Sequence, residues 1–466
     1  MVPLMVPQVL AAEEMRRLHA AMLSILSRTG CRIEHAKIRE RFCAYGGVMD
    51  SDGVTVHFPE AVVEKFIAES EKVDYTSVRP SVRMCVGVYQ GLYLDPERNE
   101  PVPFTEETLA GYVRLARYLS ADSIDVLNYP VLKSSMVEPL HARLFAWQQG
   151  IDDSTSIQLT PLCPYILEMC EIAAQARQQP VSDVFRGYVY MLSPLRLSFH
   201  EMEQALFFHD RGLRVGLGSM LTVGGSGPVT LAGSLAVMLA ESVVRGIFHR
   251  VLYGDLQWDL GCGAAPLDMR TMIQPYGRPE LFLLNMAILQ LARHYGASGS
   301  AHGGLSDAKR PSFEAGAQKM LTAYPCMLAG GGTIVGGLLS IDELFSPIQM
   351  ILDADLMEGL KRVMRGFEIN DETLAMDDIH EIGPGGFFTA TEHTVRHFKE
   401  ELWLPRTWSY QSLSPWMRDQ RKTDVDYAMD IWKQVQAAPA PQPCLDEDTT
   451  RQLTRIITKA EKALQS

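Results

Sequence analysis

The chain has 466 residues, 47% of them apolar, enough to bury a large core and too many for one small domain. Its 43 basic and 56 acidic residues leave a net charge of −13, which argues against a phosphate-backbone ligand and against an anionic membrane face. The eight cysteines, at 31, 43, 85, 163, 170, 262, 326 and 444, stand singly, so neither a zinc ribbon nor a disulfide framework is expected, and a reducing compartment is.

Residues 1–10 lack a basic stretch ahead of an apolar one, so no secretory signal is expected. No run reaches the ~18 consecutive apolar residues of a membrane span, and the expectation is a cytoplasmic protein. Met15, Leu18, Met22 and Leu26 fall at helical spacing, which predicts a helix over 11–28 stopped by Gly30. A second helix is predicted over 33–44, a strand over 54–58, and a helix opened by Pro59 to about residue 70. The alternation over 84–94 predicts a β-hairpin turning at Gln90 and Gly91. Residues 1–100 thus read as an N-terminal α+β segment.

From 101 onward strands and helices alternate. Thr105 opens a helix to about residue 120. Strands are predicted at 124–128, 156–159, 186–191, 213–218, 251–254, 297–300 and 333–335. Helices are predicted at 139–149, 165–178, 200–210, 229–249, 279–295 and 313–328. This rhythm implies an α/β fold, a TIM (β/α)8 barrel over 101–370 whose eighth strand has no clear signal. The doubly wound alternative lacks a G-x-G-x-x-G after its first strand. Residues 371–466 read as a C-terminal helical extension packed on the barrel. It ends in a charged helix over 446–464 after the linker-like AAPAPQP at 437–443.

In such a barrel, chemistry sits in the loops after the strands. Three of them are rich in small residues: SMLTVGGSGP (219–228), SGSAHGG (298–304) and LAGGGTIVGGLL (328–339). Glycine there either lets the backbone approach a bulky flat partner or serves an ordinary turn. The helix start after Gly224–Pro228 suits a phosphate, but no Walker lysine accompanies it. His393 and His397 have the i, i+4 spacing of a metal pair, yet Arg396, Lys399 and Glu400 mark a solvated face, and no intrinsic metal is expected. His302, in a strand-end loop, either touches substrate or is structural. Arg310 offers a guanidinium fork for a carboxylate, with a surface salt bridge as the alternative.

Five stretches in series carry a resemblance: GPVTLAGSLAVMLAE (227–241), LDMRT (267–271), ELFLLNMAILQLARHYG (280–296), GGLSDAKRPSFEAGAQK (303–319) and DDIHEIGPGGFFTATEHTVRHFKEELWLPR (377–406). Together they resemble the trimethylamine methyltransferase family, in particular its branch without pyrrolysine, to which glycine betaine methyltransferase belongs. The resemblance runs over most of the chain. It implies a TIM barrel, a corrinoid (cobalamin) carried by a separate partner protein as methyl acceptor, and a homo-oligomer. The family's trimethylamine enzymes carry pyrrolysine in the stretch corresponding to about 334–338. Here Val335, Gly336 and Gly337 stand there, and none can form an imine-type adduct.

That departure points to a quaternary amine. A free tertiary amine would leave as an amide anion, whereas a quaternary one leaves as a neutral amine without acid or covalent helper. The resemblance then implies methyl transfer from glycine betaine or a related betaine to the partner's Co(I) corrinoid, the enzyme supplying orientation. Tyr93, Tyr190, Trp258 and Phe345 are candidate cation–π walls, and Asp255 a candidate counter-charge. Arg310 would hold a carboxylate and His302 would face the substrate. Carnitine, proline betaine, γ-butyrobetaine or a smaller methylamine are alternative substrates. A non-catalytic betaine-binding protein and an unrelated barrel enzyme with metal or acid–base chemistry are alternative classes.

Overall fold

A computed structural model describes residues 8–77, 81–88, 91–126, 129–132, 136–151, 156–157, 159–261, 263–329, 331–439 and 442–464. The architecture is mixed α/β. Its central strands are β1 (Ser81–Val88), β2 (Ser123–Val126), β3 (Ser156–Ile157), β4 (Gly187–Met191), β5 (Val215–Ser219), β6 (Asp259–Gly261), β7 (Ser298–Ser300) and β8 (Gly331–Gly336). Helices follow them in turn: α1 (Glu106–Tyr118), α2 (Glu138–Gln148), α3 (Cys163–Arg177), α4 (Phe199–His209), α5 (Leu231–Tyr253), α6 (Pro279–Tyr295), α7 (Phe313–Ala329) and α8 (Pro347–Arg365).

β1 pairs in parallel with both β2 and β8. β4 lies in parallel between β3 and β5, and β6 pairs in parallel with β7. Short extensions join these groups: Leu221–Val223 beyond β5 pairs with Ala264–Pro266 beyond β6, and His302–Gly303 beyond β7 pairs with β8. Neighbours therefore run β3-β4-β5-β6-β7-β8-β1-β2, and among the described residues no ladder joins β2 to β3. In β4, Val189 and Met191 are buried, while Tyr188 and Tyr190 point the other way and stay accessible. Ser298, Ser300 and His302 are likewise accessible on alternate residues after α6. One strand face thus makes core with the helices, and the other lines an internal space.

The hairpin expected over 84–94 does not form. Ser81–Val88 is a parallel strand between β2 and β8, and Leu92–Asp95 pairs instead with Glu100–Pro103 and Leu344–Phe345. Residues 89 and 90 lie outside the described residues. The strand expected at 251–254 is the end of α5, which is capped by Gly254 at φ 73°. The strand at that place in the order is β6, whose DLG, followed by AAP, contains no β-branched residue and gives little signal. By length and composition α5 would suffice to cross a membrane, but 78% of its most apolar window is buried inside the molecule. It is the central packing helix.

The N-terminal helix Ala12–Ser24 packs on α5. Cys31–Ile33, Val48–Met49, Thr55–His57 and Arg196–Leu197 make a small separate sheet. At the other end of the chain, Asp424–Gln436 packs on α1 and α8, and Glu447–Leu464 on α2 and α3. Among the described residues no disulfide forms, and Cys262 lies outside them.

Candidate active site

A cavity of about 260 Å³ opens toward the carboxyl ends of β4 to β8. Its aromatic wall begins on β4. Tyr188 lies across β5 because Gly216 and Gly218 leave room: a Cβ at either position would fall 2.6 Å from a Tyr188 ring or hydroxyl atom. The next inward residue, Tyr190, meets Tyr188 edge-on with ring centroids 5.1 Å apart. The Tyr190 amide donates to Glu201 Oε2 at 2.9 Å, fixing the strand against the start of α4. Burial raises both phenols, Tyr188 to about 12, so both rings are neutral.

A third phenol comes from the loop after β6. The amides of Tyr276 and Gly277 each donate to Asp307 at 2.8 Å, which holds this loop in place. The Tyr276 hydroxyl faces the Asp342 carboxyl. Asp342 ends a run of three non-glycine residues, Ser340, Ile341 and Asp342, at φ 51°, 58° and 70°. Left-handed backbone costs each residue about 1–3 kcal/mol and persists where the surroundings enforce it, often at functional sites. Burial lifts the Asp342 carboxyl to about 6 against the opposing pull of Lys319 and Tyr276, and the nearby charge of Asp307 adds to the rise.

Opposite charge comes from α5. Arg245 has a side chain only 7% exposed, donates to Ser242 Oγ at 3.1 Å and faces Asp259 Oδ2 at 3.3 Å. Its Nε has no partner among the described residues. One turn earlier, buried Glu241 accepts from Ser193 Oγ and the Leu195 amide, both at 3.0 Å. Burial raises its pKa. His302 opens into the cavity, yet the walls around it keep water scarce, and desolvation lowers its pKa. The imidazole is therefore neutral near pH 7.

Two strand-end loops are tied together beneath the cavity. Lys319 Nζ lies 2.8 Å from both Gly304 O and Asp353 Oδ2. The Gly337 amide donates to the same Asp353 oxygen at 2.8 Å. Gly337 sits at φ 82°, where a Cβ would come 2.5 Å from the Phe345 ring, so no other residue fits without rearrangement.

The sequence model of the trimethylamine methyltransferase (MTTB) family matches residues 161–465. The chain belongs to this family. It is a methyltransferase. Among its relatives, trimethylamine methyltransferase MttB of Methanosarcina barkeri is 28% identical over 97% of this chain and 94% of that protein. The glycine betaine methyltransferase of Desulfitobacterium hafniense is 28% identical over 60% of this chain and 58% of that protein. The solved monomethylamine methyltransferase MtmB of M. barkeri aligns over 97% of this chain and 92% of that one, with a TM-score of 0.42 and 12% identity.

In this methyltransferase, three of the residues singled out from sequence line the cavity: Tyr190, His302 and Val335. Gly336 and Gly337 lie behind it, against Met84 and Phe345. Tyr93 and Phe345 are drawn into an aromatic cluster with Phe104 and Tyr112, because the Leu92–Asp95 strand pairs with Leu344–Phe345. Trp258 is buried between Phe66 and Tyr295, ahead of β6. Asp255 stands just past the end of α5, paired with Arg214 ahead of β5, at the strand end remote from the cavity. Arg310 is exposed and does not line the cavity.

The amides of Gly224, Gly225 and Gly227 are taken by the carbonyls of Thr222 and Gly227, so these three do not face a phosphate. His397 pairs with Glu372 at 2.9 Å, and His393 Nε2 lies 3.1 Å from the Glu372 carbonyl. Sequence reasoning missed Tyr188, Arg245, Asp259, Tyr276 and Asp342. A signal existed for Arg245: with Glu241 it makes an i, i+4 charge pair inside an otherwise apolar stretch.

Proposed function

We propose that this methyltransferase removes a methyl group from a small betaine and passes it to the Co(I) corrinoid of a partner protein. The observation that carries the reading is one small cavity that joins three neutral tyrosines and an acidic corner to the guanidinium of Arg245. Its volume of about 260 Å³ suits a compact molecule. Tyr188, Tyr190 and Tyr276 offer π faces to an onium nitrogen, with Asp342 beside them. Arg245 offers charge-assisted donors to a carboxylate, in the role expected of Arg310. A glycine betaine methyltransferase among the relatives supports this substrate class, as does the lack of an imine-forming residue at 334–338.

We read the parallel strand order, with one ladder missing, as a TIM (β/α)8 barrel that takes its first strand, Ser81–Val88, from the 1–100 segment expected to precede it, with the rest of that segment before it and a helical extension from 371. The cavity admits an amine but is far too small for a corrinoid ring, so these residues fit a cofactor presented at the mouth rather than one housed inside. Presented there, the reduced corrinoid supplies the nucleophile for the methyl carbon. The chain's own residues orient the amine, an effect worth about 7–11 kcal/mol in favourable cases. Tyrosine faces hold the onium without a rigid ion pair, which limits the penalty as its charge fades in the transition state. Arg245 anchors the far end, and the tertiary amine departs neutral, so no side chain need give it a proton.

The test is methyl transfer to a reduced corrinoid carrier from glycine betaine, carnitine, proline betaine, γ-butyrobetaine, trimethylamine and tetramethylammonium. Methylated cobalt is expected with a betaine. Turnover confined to the carboxylate-free amines would overturn the substrate class, and betaine binding without any methyl transfer would overturn the reaction.

A further inference from the structure

A second cavity, of about 410 Å³, lies at the amino ends of the strands, between the starts of β7, β8 and β1. Ser300 lines both this cavity and the one that holds the tyrosines, so the two spaces meet at its side chain. Closed sets of parallel strands usually fill their interior with bulky branched side chains. Here the inner face carries Gly261 on β6, Ser298 and Ser300 on β7, and Gly331 and Thr333 on β8, none larger than threonine. A Cβ at Gly331 would meet no atom within 4 Å.

The lower cavity has a built wall. The Tyr75 hydroxyl donates to the Ala297 carbonyl at 2.5 Å, and the Arg293 guanidinium lies 4.7 Å from the Tyr75 ring centroid. Arg83 comes from β1, where it alternates with buried Val82 and Met84 and stays exposed. The lining thus holds two arginines and, among the described residues, no carboxylate, in a chain of net charge −13. Two guanidinium groups with no acid between them favour an anionic group, a carboxylate above all, to which they donate charge-assisted hydrogen bonds.

We propose that the lower cavity is a port, by which a carboxylate-bearing amine enters and its demethylated product leaves while the mouth is occupied. The port rests on the proposed function, because a carrier that presents its corrinoid at the mouth closes that route during transfer. The product amine keeps its carboxylate. It leaves past Ser300 toward Arg83 and Arg293, so that Arg245 and the two lower arginines are successive stations for the same group.

Gly331→Cys places a thiol in the lower cavity that benzyl methanethiosulfonate plugs and dithiothreitol clears. Release of radiolabelled glycine betaine is followed from the enzyme alone and from the enzyme saturated with carrier in its methyl-cobalt form, which accepts no further methyl group. In the carrier complex the plug is expected to slow release about tenfold, and dithiothreitol to restore it. Without carrier the open mouth is expected to keep release as fast as before treatment. Wild type treated in parallel accounts for the native thiols. Release unchanged by the plug in the carrier complex, or slowed equally without carrier, would overturn the port. A second readout needs no substrate. Relative to the unfolded chain, the Gly331→Cys thiol is expected to react about tenfold faster with the anionic sulfonatoethyl methanethiosulfonate than with the cationic trimethylammonioethyl reagent, and Arg83→Gln to remove most of that preference. If the preference stands and no betaine is demethylated, the proposed function falls and the anion-selective cavity does not. If betaines are demethylated and the preference is absent, the port falls alone.

Discussion

Arg245 carries a charge in the core, with Asp259 beside it and Glu241 one turn earlier. Its guanidinium lines the cavity, and under the proposed function a substrate carboxylate meets it there. Losing one charge-assisted hydrogen bond costs about 1.5–3 kcal/mol, so Arg245→Gln is expected to raise KM for a betaine about 10- to 100-fold with a smaller change in kcat. Measured beside a carboxylate-free methylated amine, the variant separates the roles: equal losses on both compounds would mean that Arg245 only supports the fold. Asp342 makes a pH prediction. It binds its proton up to about pH 6 when folded and up to 3.8 when unfolded. Between these values the folded state holds more protons, so stability falls as pH rises through the window, and the whole penalty stands above it. Asp342→Asn is therefore expected to melt above the wild type at pH 7.5, by up to about 3 kcal/mol before solvent screening, and level with it below pH 3.8. An onium bound beside the carboxylate favours its charged form, so betaine should raise the wild-type melting temperature more at pH 7.5 than at pH 5. That pH dependence should vanish in the variant; if it persists, Asp342 does not face the cation.

The loops after β7 and β8 depend on a single buried pair, Lys319 with Asp353, which also holds the Gly304 carbonyl and the Gly337 amide. Removing one partner strands a charge in the core, and Lys319→Met is expected to cost about 3–5 kcal/mol in urea unfolding. Lys319→Met/Asp353→Leu should recover part of that loss, because no bare charge remains, yet stay slow in turnover, because the Gly337 amide has lost its acceptor. A double variant as unstable as the sum of the two singles would show that the groups do not interact. The same elements show what periodicity can convey. Six of the seven strands expected between 124 and 335 form, each a short segment between helical patterns and turn residues. β1 was read as half a hairpin: Arg83 and Cys85 alternate with buried Val82, Met84 and Val86, and a strand with one polar inner face looks like one facing solvent. β6 was misplaced for want of β-branched residues. Arg245 stayed hidden because an apolar helix pattern tells that a side chain is buried, not what it faces. Three of the four aromatics chosen from sequence lie away from the cavity for a related reason: Tyr93, Trp258 and Phe345 pack in the core, and strand register is what sets Tyr188 and Tyr190 apart from them.

At the scale of the whole molecule the two ends of the strand set present different surfaces. At one end, the three helices between 371 and 401 contain no buried residue. At the other, the loops after β5, β6 and β7 expose Val229, Met269, Met272 and Phe313, the last at 92%, without placing any of them in the cavity wall. A partner that delivers a flat macrocycle to a small mouth must touch the rim, and exposed Met and Phe suit a contact that re-forms at each turnover. Met272→Glu and Phe313→Glu are each expected to raise the carrier concentration needed for half-maximal rate about tenfold, as loss of one interface anchor would. KM for the betaine, and methyl transfer to free reduced cobalamin, should not change, since neither involves the rim. If the rim variants instead slow transfer to free cobalamin as much as transfer to the carrier, the rim shapes the cavity and the carrier docks elsewhere.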